Sequence, residues 1–277
     1  VTEHLTEKAG GLLSEARIAF EACPLCGSPA FQPFRSADCS RHALYDPRLP
    51  PTIDWMRCDV CTHVFTSGSF TAAAAAIVLS RAHAFQLPGQ DYERRRPIAA
   101  RIAEQVCRFV APDGPWLDVG FGDGALLLTA EEFGFAPVGV DIRPAAVAAL
   151  QAIGVEAYAG DFLKFVSVRK FRVVSLMDVL EHLPFPGRAL TLAASLLAPG
   201  GVLIVSCPAY DSPAWRALDA VGENPYWGEL EHYHNFSRAR LSALLRQEDF
   251  EPCGYAVSQR YRACMEIVAT RGGGPAA

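Results

Sequence analysis

Three groups of residues in this chain have the types and spacing to do chemistry. The first is a set of four cysteines in two pairs, Cys23-Pro-Leu-Cys26 and Cys58-Asp-Val-Cys61. Each Cys-x-x-Cys turn presents two thiolates on one side of a tight bend, and two such turns supply the four ligands of a tetrahedral zinc ion. The second is Trp116-Leu-Asp-Val-Gly-Phe-Gly-Asp-Gly124, a short apolar run containing Asp118 and then Gly120, Gly122 and Gly124 at alternate positions. Glycines there let the backbone approach a bound nucleoside cofactor where a Cβ would collide. Asp141 closes the next apolar run, Val138-Gly-Val-Asp, where a carboxylate can take both hydroxyls of a ribose. The third group is polar: Asp178-Val-Leu-Glu181-His182, and later Glu231-His-Tyr-His234-Asn-Phe-Ser237. Carboxylates and imidazoles grouped in this way serve as general acids and bases, or as ligands of a divalent cation.

These groups need elements to position them. From Trp116 onward, candidate strands at 116–120, 136–140, 155–158, 172–177 and 202–206 alternate with helical patterns at 123–133, 144–152, 186–197 and 238–247. Short apolar, β-branched runs separated by helices predict an α/β fold, with a parallel sheet covered on both faces. The last two runs, 254–259 and 264–270, are close enough for a hairpin, so one antiparallel strand should end the sheet. Ser237 stands where it can cap the helix that begins near Arg238. Ahead of this region, residues 1–20 read as one amphipathic helix, with Leu5, Leu12, Leu13, Ile18 and Phe20 on or near one face. Residues 23–66 are rich in cysteine and proline, 70–85 turn helical, Leu87-Pro-Gly-Gln is a break, and a second helix is expected from about Pro97 to Val110. The organisation expected is a helix and zinc-ribbon-like module over 1–68, a helical linker or lid over 69–112, a catalytic domain over 113–271 and a flexible tail over 272–277.

A closed four-thiolate site leaves no open coordination position, so the zinc expected at Cys23, Cys26, Cys58 and Cys61 is structural. The long insert between the pairs must make its own loops. Gly27 suits the first turn, whereas Thr62 stands where the second turn would favour glycine. Cys39 is not needed for the site, and Cys107, Cys207, Cys253 and Cys264 read as buried thiols.

The run Gly120-Phe-Gly-Asp-Gly-Ala also satisfies the dinucleotide pattern G-x-G-x-x-G/A, so by itself it leaves open an NAD enzyme or a cofactor-free Rossmann-type domain. Further features tilt it. Asp118 inside the strand can meet an ammonium, Gly160-Asp161-Phe162 follows the third strand, and Leu197-Ala-Pro-Gly-Gly201 turns into the strand at 202–206. Over about residues 95–270 this set resembles the class I S-adenosylmethionine-dependent methyltransferases. The resemblance implies a Rossmann-like seven-stranded sheet of order 3-2-1-4-5-7-6, with strand seven antiparallel. It implies that Asp118, Gly120, Phe121, Gly122 and Gly124 hold the methionine portion, with Met177 alongside. Asp141 and Ile142 would hold the ribose side, and Asp161 and Phe162 the adenine. Phe121 departs from the small residue usual there, and its ring is expected to crowd the amino-acid end.

On the acceptor side, Asp178, Glu181 and His182 follow a strand whose end points into the ligand crevice. An imidazole with an ordinary pKa of about 6.5 is suited to take the proton of a hydroxyl or amine acceptor. His182 is the first choice for that base and His234 the second, while His232 is assigned to structure or solvent. The aromatic-rich stretch Tyr210–Gly228 is expected to form part of a substrate wall. The Asp178-x-x-Glu181-His182 pattern with His234 also looks like the cation site of metal-dependent small-RNA 2′-O-methyltransferases and of ubiquinone-type O-methyltransferases. With the cysteine pairs added, the chain resembles bacterial sugar and natural-product methyltransferases that carry a zinc module. That implies methylation of a small molecule; the sugar C-methylation known in that group is not carried over, and the expected acceptor atom is oxygen, with carbon or nitrogen as alternatives. A zinc module that only binds a partner is a reading of a different class, and it leaves the acids and histidines unused.

Composition bounds the partners. The net charge is −5 and only three residues are lysine, Lys8, Lys164 and Lys170, so there is no general attraction for nucleic acid or an anionic membrane, and RNA is a disfavoured acceptor. No run has the length of a membrane span, and Glu3, Glu7 and Glu15 stand where a secretory signal would be basic, which points to a cytosolic protein whose cysteines are reduced or metal-bound.

Overall fold

Apolar residues at every second position of the strands face one side of a sheet, and their neighbours face the other. In the computed structural model, which describes residues 15–81 and 86–271, this alternation builds the larger of three sheets. Its strands are β6 (Pro115–Val119), β7 (Ala136–Asp141), β8 (Glu156–Ala159), β9 (Phe171–Met177), β10 (Leu197–Pro208), β12 (Phe250–Val257) and β13 (Cys264–Arg271). They lie in the order β12-β13-β10-β9-β6-β7-β8. Numbered within the sheet this is 3-2-1-4-5-7-6, and β13 runs antiparallel to both β10 and β12, as expected.

Leu117, Val119, Val174, Leu176, Leu203, Val205 and Ile267 pack against α5 (Pro186–Leu196) and α7 (Arg238–Gln247). Trp116, Val173, Val202, Ile204 and Val268 face the opposite way, against α2 (Tyr92–Val106) and α3 (Ala125–Phe133). Truncating a fully buried member such as Leu117 to alanine should cost about 2–5 kcal/mol. The fifth covering helix, α4 (Pro144–Ala152), opens on Pro144 at its first position, where the missing N–H costs no hydrogen bond. Ser237 caps α7 by accepting from the Arg240 N–H at 3.2 Å.

Helix α2 begins at Tyr92 rather than Pro97, so Pro97 lies inside it. Its missing N–H falls early in the helix, where little of the ladder is lost, and Asp91 in a left-handed conformation starts the turn. The helix expected at 70–85 appears as α1 (Ala72–Arg81), with 82–85 outside the described residues. The expected helix 1–20 is corrected where it can be seen. Residues 1–14 lie outside the described residues, but Arg17–Ala19 is strand β1, paired antiparallel with β5 (Gly68–Phe70). Gly68 is glycine because any Cβ would strike the backbone of Ile18. The tail 272–277 is also outside the described residues.

The cysteine-rich region forms a four-stranded sheet of order β11-β4-β3-β2, from β2 (Phe31–Asp38), β3 (Thr52–Cys58), β4 (Val64–Thr66) and β11 (His234–Asn235). The fourth strand comes from the far end of the chain, just before α7. A shared core joins this sheet to the stretch carrying α6 (Pro213–Ala220): Trp55, Leu49 and Ile53 pack with Trp215, Tyr226 and Trp227. The Trp55 indole donates to the Trp227 carbonyl at 2.9 Å. The aromatics expected to wall a substrate site are therefore largely buried as a joint between the two sheets. Among the described residues no helix is long and apolar enough to cross a membrane.

Candidate active site

Strands β6 and β9 are neighbours in the sheet, with Val119 opposite Leu176. The turns that leave their carboxyl ends therefore lie side by side, and a Cβ on Gly120 would meet Val179 at 3.2 Å. Strand order reverses at this point, which is where open α/β sheets hold ligands. Gly120, Gly122 and Gly124 all have left-handed φ, at 65°, 58° and 71°, so a side chain at any of them would strain the turn. The Gly120 N–H donates to the Val140 carbonyl at 2.7 Å, tying the turn to β7.

Phe121 lines the small recess beside Gly122. It is buried, and its ring lies over Gly139 of β7, where a Cβ would come within 2.7 Å of it. Asp118 is buried and accepts from the Ser175 hydroxyl at 2.5 Å. Burial pushes its carboxyl up to about 7, against the pull of that hydrogen bond. Asp141 is buried at the end of β7 and holds Arg143 in a two-pronged ion pair at 2.8–2.9 Å. Arg143 continues to the carbonyls of Gln86 and Gly122, so one guanidinium bridges the expected ribose acid and the glycine turn. Ile142 is exposed beside it, and Met177 is buried at the end of β9. Asp161 caps a short turn by accepting from the Leu163 N–H, while Phe162 is buried with the α5 core rather than presented to the crevice. A recess of about 30 Å³ lies against Phe121 and Gly122, closed by Arg95, Arg260 and Tyr261. A larger cavity of about 680 Å³ opens beside β8 under Tyr158, Val166 and Val168, away from the acids and histidines described next.

After β9 the chain makes a short turn. Asp178 adopts φ 58°, accepts from the Ser206 hydroxyl at 2.7 Å and pairs with Arg260 at 3.1 Å. Glu181, His182 and His232 then converge, with one potential ligand atom from each lying within 4.8 Å of the others. The His182 and His232 rings meet edge to face at 4.7 Å. Glu181 Oε2 and His232 Nδ1 are buried without a hydrogen-bond partner. Burial and the nearby Asp178 push Glu181 well above the usual carboxylate range, while burial and the nearby His182 push His232 well down. This corrects the expected four-residue cation set in two ways. Asp178 is committed to Ser206 and Arg260, and His234 is turned away, so His232 takes the place given to His234. His234 is fully buried, with its nitrogens 3.0 Å from the His63 ring and 2.9 Å from the Leu183 carbonyl. Burial lowers its pKa to about 4. An imidazole so enclosed cannot reach an acceptor, which also removes it as the second candidate base.

In the module, Cys23 and Cys61 Sγ lie 3.6 Å apart, as do Cys26 and Cys58, and all four sulfurs fall within 4.8 Å of one another. A zinc tetrahedron with arms of about 2.3 Å has edges of roughly 3.8 Å, so the four cysteines fit the ion. Burial raises Cys23 and Cys61, the latter to about 11, and bound zinc would displace those protons. Thr62 takes the left-handed φ of 61° that a glycine would occupy freely. Cys253, expected to be buried, is exposed, and Cys107 is only half-buried.

Arg143, Arg260, His63 and His232 are the site residues that sequence reasoning missed. Arg143 had a signal, lying two residues beyond Asp141 on the same turn. His232 lies in the Glu231–Ser237 segment already singled out, whereas Arg260 and His63 come from distant segments and had no signal.

A family of proteins described as a methyltransferase domain matches residues 91–253. The chain belongs to that family. Its seven-stranded sheet and left-handed glycine turn have the architecture of the class I S-adenosylmethionine-dependent methyltransferases. Among curated proteins, a ubiquinone biosynthesis O-methyltransferase of Xanthomonas campestris is 30% identical over 168 residues, covering 56% of this chain and 66% of that protein. Its counterpart in Xanthomonas oryzae is 32% identical over 149 residues, covering 49% and 62%. The matched stretch thus spans less than two thirds of those relatives' length. Among solved structures, a Burkholderia thailandensis 1,6-didemethyltoxoflavin-N1-methyltransferase has a TM-score of 0.57 at 19% identity, covering 76% of this chain and 95% of that one. A mitomycin 7-O-methyltransferase has 0.54 at 18%, covering 72% and 58%. At those identities the likeness is one of fold.

Proposed function

We propose that this methyltransferase acts on an oxygen of a small-molecule acceptor in secondary metabolism or sugar biosynthesis, with His182 as general base. The observation that carries this reading is the position of His182, half-buried on the turn beside the glycine loop and flanked by Glu181 and His232. Bound S-adenosylmethionine supplies an already activated methyl group, so the protein mainly needs to align, desolvate and take a proton. The Asp118 carboxylate meets the cofactor's ammonium, and the glycine turn lets the backbone lie close to the methionine portion. Asp141 would take the ribose hydroxyls once Arg143 gives way, and Asp161 would stand at the adenine end. As the acceptor oxygen forms its bond to carbon, its proton passes to a nitrogen of His182. Cys23, Cys26, Cys58 and Cys61 hold a structural zinc. The O-methyltransferase names of the Xanthomonas relatives support oxygen as the acceptor.

A panel of catechols and hydroxylated sugars, incubated with methyl-labelled cofactor, tests the acceptor. Label in a methyl ether supports the reading; label only on carbon or nitrogen overturns it.

The unpartnered atoms of Glu181 and His232 favour a second reading, in which Glu181, His182 and His232 hold a divalent cation. One carboxylate and two imidazoles suit a transition metal better than Mg²⁺. Under that reading chelator treatment abolishes turnover and Mn²⁺ or Co²⁺ restores it; full turnover in chelator excludes it.

A further inference from the structure

We propose that His63 and His234 are positioning residues, a buried pair of imidazoles through which the four-cysteine module holds the Glu181–His182 turn; this rests on reading that turn as the catalytic edge. His63 lies two residues beyond Cys61, and its carbonyl accepts the Cys58 N–H at 2.9 Å, so it is part of the second cysteine turn. Its ring Nε2 lies 3.0 Å from His234 Nδ1. His234 Nε2 lies 2.9 Å from the carbonyl of Leu183, the residue after His182.

The direction of these bonds follows from elementary chemistry. A carbonyl only accepts, so His234 carries its proton on Nε2. Its neutral ring then has a lone pair on Nδ1, and His63 must donate from its own Nε2. Both protons are fixed, and the donors run from the module to the turn.

A second line runs beside the first. The Thr66 N–H donates to the Tyr233 carbonyl at 2.9 Å, and the Tyr233 N–H donates to the Glu181 carbonyl at 2.7 Å. His234 and Asn235 pair with Phe65 and Val64 as the added strand β11. Two successive residues, Tyr233 and His234, thus carry a backbone line and a side-chain line from β4 to the turn. The turn needs such support because Leu180–His182 is a single short 3₁₀ turn entered through Asp178 in a left-handed conformation. Packing alone would not call for imidazoles here. Phe65 and Phe236 surround the His63 ring, and an apolar side chain would fill the same space without burying polar nitrogens, of which His63 Nδ1 has no hydrogen-bond partner. The hydrogen bond to Leu183 is what the pair adds.

The test uses the full zinc-loaded chain and needs no acceptor. Long-range proton–nitrogen spectra of the wild type should show both rings as neutral Nε2–H tautomers; His63 as the Nδ1–H tautomer overturns the proposal. His63→Gln keeps a donor that can reach His234, and His63→Leu does not. The Leu variant should move the His182 ring resonances and speed amide exchange at His182 and Leu183 by about fivefold to tenfold, the worth of one hydrogen bond. The Gln variant should stay within about twofold of wild type. Unchanged exchange in His63→Leu, or equal effects of the two substitutions, overturns the proposal. Should His63→Leu fail to fold, the wild-type tautomers and His63→Gln still decide. S-adenosylhomocysteine titrated into all three proteins keeps the readings apart: equal binding leaves the relay as the only thing tested, and no binding to the wild type refutes the methyltransferase reading while the tautomers stand on their own evidence.

Discussion

The two sides of the crevice are assembled differently. The proposed cofactor side is built from consecutive turns of one sheet: the glycine loop after β6, Asp141 at the end of β7 and Asp161 after β8. Each follows its strand directly, so a strand–turn–helix pattern is enough to place it. The proposed acceptor side is built from segments far apart in the chain. Glu181 and His182 come from the turn after β9, His232 from the approach to β11 and Arg260 from the last hairpin, with His63 of the cysteine module buried behind them. Methyl transfer needs the donor held in much the same way whatever the acceptor, whereas the acceptor side must suit one substrate, and under the proposed reading it is that side which the cysteine module supports.

The comparison can be broken most severely at the module. Cys58→Ser should abolish zinc binding, read as the loss of one zinc by native mass spectrometry, and the loosened module should release the Glu181–His182 turn. Retention of zinc in that variant would refute the four-cysteine site. His182→Ala should lower turnover by about 10²-fold or more, as loss of a general base does, while cofactor affinity stays unchanged. Wild-type turnover in that variant would end the base assignment, and a parallel loss of cofactor affinity would erase the division between the two sides.

A smaller effect sharpens the cofactor side through pH. Burial raises Asp118 to about 7 in the free protein, and the cofactor's ammonium needs it ionised. Cofactor affinity should therefore fall as pH drops below about 7, and binding at pH 6 should release close to one proton, read by calorimetry in buffers of different ionisation enthalpy. The sign for folding is opposite to that of a salt-bridged acid. Because the folded pKa lies above the unfolded value, the contribution of Asp118 to stability is fully present below about pH 4 and is lost as pH rises through about 7. Flat affinity from pH 6 to 8 would remove Asp118 from the ammonium site. The smallest effect is expected at Thr62→Gly, which relieves a left-handed β-branched residue and should stabilise the zinc-loaded chain by about 1 kcal/mol in thermal unfolding.

The same contrast explains what could be read from the chain alone. The strand–helix alternation, the antiparallel last strand, the glycine turn and the Ser237 cap were legible because each is encoded in a local pattern of apolar period, glycine and turn chemistry, whereas the sheet order followed only from the family resemblance. Residues 17–19 misled because Ile18 and Phe20 fit a helical face, and their pairing with Gly68–Phe70 depends on a strand far along the chain. His232 and His234 sit in one short motif with nothing to distinguish them. The strand pairing of His234 with Phe65 turns one imidazole toward the module and leaves the other facing Glu181. The packing of Phe121 over Gly139 was not legible, because that glycine lies on another strand.

The central claim is that the glycine turn with Asp141 holds S-adenosylmethionine and that the opposite side does not. Isothermal titration of S-adenosylhomocysteine into wild type, Asp141→Ala and His182→Ala tests it most directly. One molecule should bind per chain to wild type and to His182→Ala with the same dissociation constant, and Asp141→Ala should bind at least about tenfold more weakly, the loss of charge-assisted hydrogen bonds to the ribose. No binding to the wild type, or an unchanged dissociation constant in Asp141→Ala, would contradict the account.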